Sequence, residues 1–139
     1  MIHVFFDVDG VLNKESDWKV KFSLDKSCIK AFADICNYLK KSYVEVKLVI
    51  ISTWRTGENK NLENALAEYG LKISDSTPVS NKGRQAEVEY YIRRNNIEDY
   101  LIIDDDLSLF SSPENLKLYV PNYRTGLVSS DIKAIRSLI

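Results

Sequence analysis

The sequence predicts a three-layer α/β/α domain built on a mainly parallel, five-stranded sheet. Two patterns carry this. Short runs rich in Val, Ile, Leu and Phe alternate with longer segments of helical apolar spacing, and the residues best suited to chemistry stand directly after the short runs. A helix between two strands returns the chain to its starting end, so the strands come out parallel, and strand twist makes such crossovers right-handed.

Ile2 to Phe6 is an apolar run with β-branched and aromatic residues that ends at acidic residues and Gly10, the pattern of a buried strand. Ile29, Phe32, Cys36 and Leu39 then recur at helical spacing, with Ser23 or Asp25 placed to cap a helix ending near Lys41. Val46 to Ile51, dense in Val, Ile and Leu, reads as a second strand buried on both faces. Leu62, Ala65, Leu66 and Tyr69 form the next apolar stripe, and Gly70 stands where a glycine would stop the helix. Leu71 to Ile73 follows as a short third strand. A third helix runs from Gly83 to about Asn95, with Val88, Tyr91 and Ile92 facing inward and Ser80 or Asn81 near its start. Tyr100 to Ile103 and Leu116 to Val120 supply the fourth and fifth strands, joined by a loop. Ser129 or Ser130 then caps a last helix carrying Ile132, Ile135 and Leu138.

A chain of 139 residues, 45% of them apolar, fits one domain over residues 1–139 and one core. Its 20 acidic and 19 basic residues give a formal net charge of -1, which excludes a globally basic surface for nucleic acid and leaves only local ones. No apolar run reaches the roughly 18 residues of a membrane span, and the chain starts directly with a strand. A cytoplasmic protein with no membrane contact is expected. Cys28 and Cys36 are about 12 Å apart along one helix, too far to bridge, and read as buried thiols in a reducing compartment. His3, the one histidine, reads as a packing residue on the first strand.

In an open parallel sheet, ligands bind beyond the carboxyl ends of the strands, where loops and helix N-termini converge. Asp7 and Asp9 follow the first strand, Ser52, Thr53 and Arg55 the second, and Asp104, Asp105 and Asp106 the fourth, while Lys82 and Arg84 open the third helix. Carboxylates gathered at one point repel each other and resist desolvation, so they call for a compensating hard cation, most simply Mg²⁺. Mg²⁺ takes oxygen ligands and commonly joins one or two carboxylates to a substrate phosphate. A phosphorylated substrate is the implied guest.

Asp7-Val8-Asp9-Gly10-Val11-Leu12-Asn13 resembles the first motif of haloacid dehalogenase-like (HAD-like) phosphatases, an Asp-x-Asp-Gly placed directly after a hydrophobic strand. Ser52 resembles the hydroxyl of the second motif, Lys82 or Arg84 the cation of the third, and Asp104-Asp105 the acidic pair of the fourth. The stations occur in order over Ile2 to Asp106. Arg84 through Glu87, if it is an Arg-x-x-Glu pattern, and Gly126-Leu127 before a capped helix are similar to a compact, capless branch found in RNA-repair proteins. The resemblance implies a Rossmann-like HAD fold and a Mg²⁺-dependent phosphatase. In it Asp7 attacks phosphorus and forms an aspartyl-phosphate, and Asp9 serves as acid, then base. Asp7, the backbone carbonyl of Asp9 and Asp104 hold Mg²⁺, with Asp105 assisting. Ser52 binds the phosphoryl group, and the third-motif cation offsets the charge. Arg55, whose guanidinium can bind two oxygens at once, is either a second phosphate contact with Thr53 beside it or a surface ion pair.

Bland readings stand beside these. Asp106 reads as a solvated turn, Ser52 and Thr53 can serve backbone groups at a strand end, and Trp18 can simply pack the segment that carries it. A dehalogenase needs no proton donor at Asp9, and a signalling receiver needs a lysine after the fifth strand, where this chain has none. Residues 13–22 suffice only for a short flap, of a kind that is mobile in the superfamily, and 56–80 are spent on a helix and a strand, so no cap domain covers the site. An open site suits a large substrate such as a nucleic-acid end, whose bulk, or contact between copies of the chain, covers the cleft. Trp18, Lys19 and Lys21 in the flap, and Tyr123 and Arg124 after the fifth strand, could stack on and neutralise such an end.

Overall fold

The computed structural model describes residues 1–56 and 59–139, with the backbone alone at Arg55 and Thr56. β1 (Ile2–Phe6) is buried throughout because it pairs in parallel with β2 (Val46–Ile50) on one edge and with β4 (Tyr100–Ile103) on the other. β3 (Ile73–Ser76) extends the sheet beyond β2, and β5 (Leu118–Tyr119) extends it beyond β4. The order is β3-β2-β1-β4-β5, with every pairing parallel. This is a Rossmann-like α/β architecture, as the sequence led one to expect.

Chain direction explains the layers. α1 (Lys26–Leu39) and α2 (Lys60–Ala67) step the chain from β1 to β2 and on to β3, whereas α3 (Arg84–Arg94) brings it back past both to β4. Right-handed crossovers running in opposite directions must lie on opposite faces of a sheet. Accordingly Val4 and Phe6 pack with Phe32, Leu62 and Leu66, together with Ile135 of α4 (Asp131–Leu138). Phe5, one residue out of step, packs with Val49, Ile102 and Val88 of α3 on the other face. The cores are therefore unequal: α1, α2 and α4 cover one face and α3 the other. His3 sits against the rings of Phe5 and Tyr91 on the α3 side, and both cysteines are buried and unpaired. No helix among the described residues is long and apolar enough to cross a membrane.

Helix ends settle several boundaries. Asp25, not Ser23, caps α1, its carboxylate accepting from the backbone N–H of Ser27 at 2.8 Å and of Cys28 at 3.1 Å. α2 stops at Gly70 in a left-handed conformation, with the Gly70 N–H donating to the Ala67 carbonyl and the Leu71 N–H to that of Leu66. Leu71 is thus consumed in closing the helix and buried beneath it, so the third strand begins at Ile73 instead of Leu71 and runs on to Ser76. α3 ends by the same device, with Asn96 in the left-handed position and the Ile97 N–H donating to Ile92. Neither Ser80 nor Asn81 caps the start of α3. Gly83 holds that place, and Glu87 reaches back to accept from the Ser80 N–H at 2.7 Å. At α4 the cap residue is Ser130, without a side-chain bond, and Asp131 instead accepts from the Val128 N–H at 2.8 Å. β5 keeps only two residues of the expected Leu116 to Val120, since Leu116 closes a turn onto Pro113 and Pro121 has no N–H to extend the ladder.

The segment between β1 and α1 holds a single 3₁₀ turn, Glu15–Lys19, and it is strapped at several points. The Glu15 N–H donates to the Tyr123 carbonyl at 3.0 Å, Trp18 stacks on Tyr123 at 6.0 Å between centroids, and Lys14 pairs with Asp25 at 3.1 Å. Beneath it, the Leu127 N–H donates to the Val11 carbonyl at 2.9 Å. Gly126 makes this approach possible. Its φ is +65°, and a Cβ there would lie 2.5 Å from the Asn13 carbonyl oxygen and 2.6 Å from the Cys28 sulfur. Gly70 has a similar φ of +72° but open space around it. Gly70→Ala is therefore expected to cost about 1–2 kcal/mol, from backbone conformation alone. Gly126→Ala adds a packing clash on the order of 1–3 kcal/mol. Urea midpoints of the two variants check the ranking, and equal losses would mean that the 122–127 turn is free to move off the β1 loop.

Candidate active site

The site begins where β1 and β4 end. The Asp7 N–H donates to the Ile103 carbonyl at 2.9 Å, and the Asp104 N–H donates to the Tyr119 carbonyl at 3.1 Å, so the ladder continues just far enough to align the two aspartates. β1 is also the strand at which the order of the sheet reverses, the position where open α/β sheets form a crevice. Asp7 is 6% exposed and Asp104 fully buried. Each of Asp7, Asp104 and Asp105 presents a carboxylate oxygen, and the three oxygens lie within 4.8 Å of one another. Asp105 fits because residue 10 is glycine: a Cβ there would stand 2.3 Å from the Asp105 Oδ2.

Among the described side chains, one cation enters this group. Arg84, the first residue of α3, places Nη1 at 2.8 Å from Asp104 Oδ2 and 3.4 Å from Asp7 Oδ2. A single guanidinium does not balance three carboxylates. Burial pushes the Asp7 carboxyl up to about 7 against the pull of Arg84, and it is raised further by its contact with Asp105. Burial likewise pushes Asp104 up to about 7, with the neighbouring Asp7 charge adding to it. Asp105 is raised too, chiefly by desolvation. Each group resists ionisation because water has been removed and like charges surround it. The donor set fits a small hard divalent ion: carboxylate oxygens in a tight cluster, three against one guanidinium among the described side chains.

Asp9 turns the other way. Its carboxylate lies outside that acidic cluster and is held by N–H donors: Asn13 Nδ2 donates to Oδ1 at 2.9 Å, and Trp54 Nε1 is shared between Oδ1 and Oδ2 at 3.2 and 3.3 Å. The orientation of the Asn13 amide follows from its neighbours. The Gly10 N–H and the Trp18 indole N–H can only donate, and both point at Oδ1 at 2.9 Å, which leaves Nδ2 for Asp9 and for the Ser23 carbonyl. Asn13, 2% exposed, thus has every hydrogen-bonding position filled. Asp9 forms part of the wall of an open cleft of about 450 Å³ between the flap and the 3₁₀ turn Thr53–Thr56.

The remaining candidates divide. Ser52 follows β2 and is 1% exposed, with its hydroxyl oxygen accepting from the Trp54 N–H at 3.2 Å. Thr53 lines the same cleft as Asp9. Lys82 lies two residues before Arg84, on the other side of Gly83, and lines a separate hollow with Pro78, Glu87 and Tyr90. The structure brings Arg84 and not Lys82 to the acidic cluster. The side chain of Arg55 lies outside the described residues. Asp106 turns from the cluster and caps the 3₁₀ turn Leu107–Leu109 through the Ser108 N–H. The sequence alone assigns neither Asn13 nor Trp54 a task. An amide four residues after an acid, and an indole two residues after a strand-end serine, were the available signals.

No curated protein matches this chain. A family model described as the HAD domain in Swiss Army Knife RNA repair proteins matches residues 3–132. The matched span runs from β1 through the 122–127 turn that locks its loop and into α4, and the chain accordingly belongs to that family of HAD domains, within the HAD-like hydrolases.

Proposed function

We propose that this chain is a Mg²⁺-dependent phosphomonoesterase acting through an aspartyl-phosphate on Asp7, with a phosphorylated polynucleotide end as its substrate. One observation carries the reading above all: three buried or half-buried carboxylates from two strand ends converge, with Arg84 the one cation among the described side chains that meets them. Asp7, Asp104 and Asp105, with the backbone carbonyl of Asp9, would hold Mg²⁺, which when bound neutralises the cluster and the phosphoryl oxygens.

In the first step a carboxylate oxygen of Asp7 attacks phosphorus in line, a P–O bond to Asp7 forms, and the P–O bond to the leaving alcohol breaks. The proton of Asp9 goes to the leaving oxygen. In the second step Asp9 takes a proton from water, the water oxygen attacks phosphorus, and Asp7 departs as carboxylate, leaving inorganic phosphate. Asp9 Oδ1 accepts from both Asn13 and Trp54, whereas among the described side chains Oδ2 accepts from the indole only, and Oδ2 is the oxygen better placed to handle the proton. Asn13 and Trp54 are positioning residues. Ser52 donates to a phosphoryl oxygen, Arg84 supplies the third-motif charge, and Thr53 and Arg55 complete the phosphate contacts. Fixed dipoles and charges of this kind act without reorganising as the reaction proceeds. The polynucleotide end is supported by the RNA-repair setting of the family and by an open site with no inserted domain among the described residues.

Hydrolysis of an aryl phosphate in Mg²⁺ tests the reaction. Asp7→Asn should lower kcat by about 10³-fold or more with the fold intact by circular dichroism. Asp9→Asn should lower kcat by about 10²–10⁴-fold with KM little changed. An Asp7→Asn protein as active as the parent would end the aspartyl-phosphate reading. Equal or better turnover of free sugar phosphates than of phosphorylated oligonucleotides would end the substrate assignment.

The acidic cluster also predicts a pH dependence. Asp7 and Asp104 have an ordinary value of 3.8 when unfolded and about 7 when folded without metal, so the folded chain binds protons more tightly. Their contribution is fully present below about pH 4 and is lost as pH rises through 7. Metal competes with those protons, so the rise in Tm caused by Mg²⁺ should grow from pH 5 to pH 8. At pH 8 Asp104→Asn should melt above the metal-free parent and gain little from Mg²⁺. Thermal scans at several pH values check both, and a Mg²⁺ effect independent of pH would contradict the cluster as the metal site.

A further inference from the structure

In-line displacement fixes where the leaving group must lie. The nucleophile and the leaving oxygen stand on opposite sides of phosphorus, and the general acid must reach that leaving oxygen within hydrogen-bonding distance. With Asp7 in the acidic cluster and Asp9 turned out of it, the leaving group points away from Asp7 and into the space that Asp9 borders. That space is the cleft between the flap and the 53–54 turn, bordered by Trp18, Lys19, Lys21, Phe22, Thr53 and Trp54. Its volume of about 450 Å³ falls in the range that encloses a ligand of nucleotide size.

The chemistry of the walls is uneven in a telling way. Lys19 and Lys21 are exposed on the flap side, and among the described residues of the lining Asp9 is the one carboxylate. Trp18 is 43% exposed and Tyr123 39%, although the two rings are stacked, so the pair offers a broad aromatic surface at the edge of the cleft. The Trp18 plane is set in advance by its indole bond to Asn13, and the Tyr123 carbonyl holds the flap at Glu15. A preformed aromatic surface beside two lysines, with open space between, is how proteins hold a single strand: bases stack and the backbone meets cations. A sugar phosphate would leave both features unused.

We infer that this cleft is a leaving-group subsite for single-stranded polynucleotide, in which the nucleotide carrying the terminal phosphate and the next one inward stack on Trp18 and Tyr123 while Lys19 and Lys21 meet the phosphodiester between them. The inference rests on the phosphatase reading above and adds to it a location and a length requirement.

Terminally phosphorylated mono-, di- and trinucleotides, in 3′- and 5′-phosphate forms, test it against an aryl phosphate measured on the same enzyme. From one nucleotide to two, kcat/KM should rise about tenfold or more, with a smaller step to three. Tyr123→Ala and the double variant Lys19→Ala/Lys21→Ala should each lower the ratio of dinucleotide to aryl-phosphate kcat/KM severalfold. Added salt should lower that ratio in the parent, and should do so less in the lysine variant. Equal kcat/KM for one and two nucleotides, or a ratio unmoved by both variants, would overturn the subsite. So would a phosphopeptide turned over as well as the dinucleotide with Tyr123→Ala without effect. Absence of aryl phosphate turnover would strike the phosphatase reading instead. The subsite is then decided by tryptophan quenching of the Asp7→Asn protein on titration with phosphorylated dinucleotide: saturable quenching weakened severalfold by Tyr123→Ala supports it, and no quenching overturns it.

Discussion

Parallel pairing of β1 with both β2 and β4 sets Asp7 beside Asp104, and the repulsion between those carboxylates is the constraint to which the rest of the site responds. The register that aligns the strand ends is fixed by apolar side chains on both faces, since a slip of one residue would carry Val4 and Phe6 out of one core and Phe5 out of the other. Hydrophobic packing therefore imposes the electrostatic problem. Arg84 answers part of it, placed by Gly83 at the first turn of α3, and Gly10 makes it more acute by admitting a third carboxylate from Asp105. A stable fold does not gain from such an arrangement, because buried like charges cost more than they return. The proposed function gives the arrangement a use, as a place for a divalent ion and a phosphoryl group.

The two aspartates of the first motif are separated by environment and not only by sequence. Asp7 sits in a dry, like-charged cluster facing one guanidinium. Asp9, two residues on, is half-buried at the edge of the cleft among N–H donors from three different segments of the chain, counting the Trp18 and Gly10 contacts that fix Asn13. In the proposed mechanism, these different surroundings are the physical basis for giving one carboxyl group the role of nucleophile and the other the movement of protons.

Much of this was legible in the sequence, and the limits were physical. β1, β2 and β4 were readable because strands buried on both faces are apolar without interruption. The Asp-x-Asp-Gly turn was readable because its residues are adjacent. The start of β3 was displaced because Leu71, apolar and β-compatible, is used to seal α2, and a Schellman-type end competes with a strand for the same residue. Lys82 and Arg84 could not be separated by type, since each is a cation near a helix start; the glycine between them turns the chain, and only Arg84 lies on the side of the aspartates. Asn13 and Trp54 acquired their tasks from contacts with residues such as Trp18 and Asp9 that the fold alone brings together, and spacing holds no record of such meetings.

The straps on the flap bear on how an open site can still be selective. A cap domain excludes water by closing over a small substrate, which requires motion and a hinge. Here the flap is tied instead to the 122–127 turn through Glu15 and Trp18, Leu127 holds the loop beneath it at Val11, and Asn61 Nδ2 donates to the Phe22 carbonyl on the opposite side. Phe22 in turn meets Trp54 edge-on at 4.9 Å, so the two walls of the cleft brace each other. Walls held this way do not need to move to orient a substrate, but neither can they shut over a small one. On the proposed function the excluded volume comes from the substrate itself, and a larger leaving group gains more from the cleft than a smaller one. In the proposed reaction, selectivity resides in what leaves and not in the phosphoryl group that stays, which links the strapped flap to Asp9.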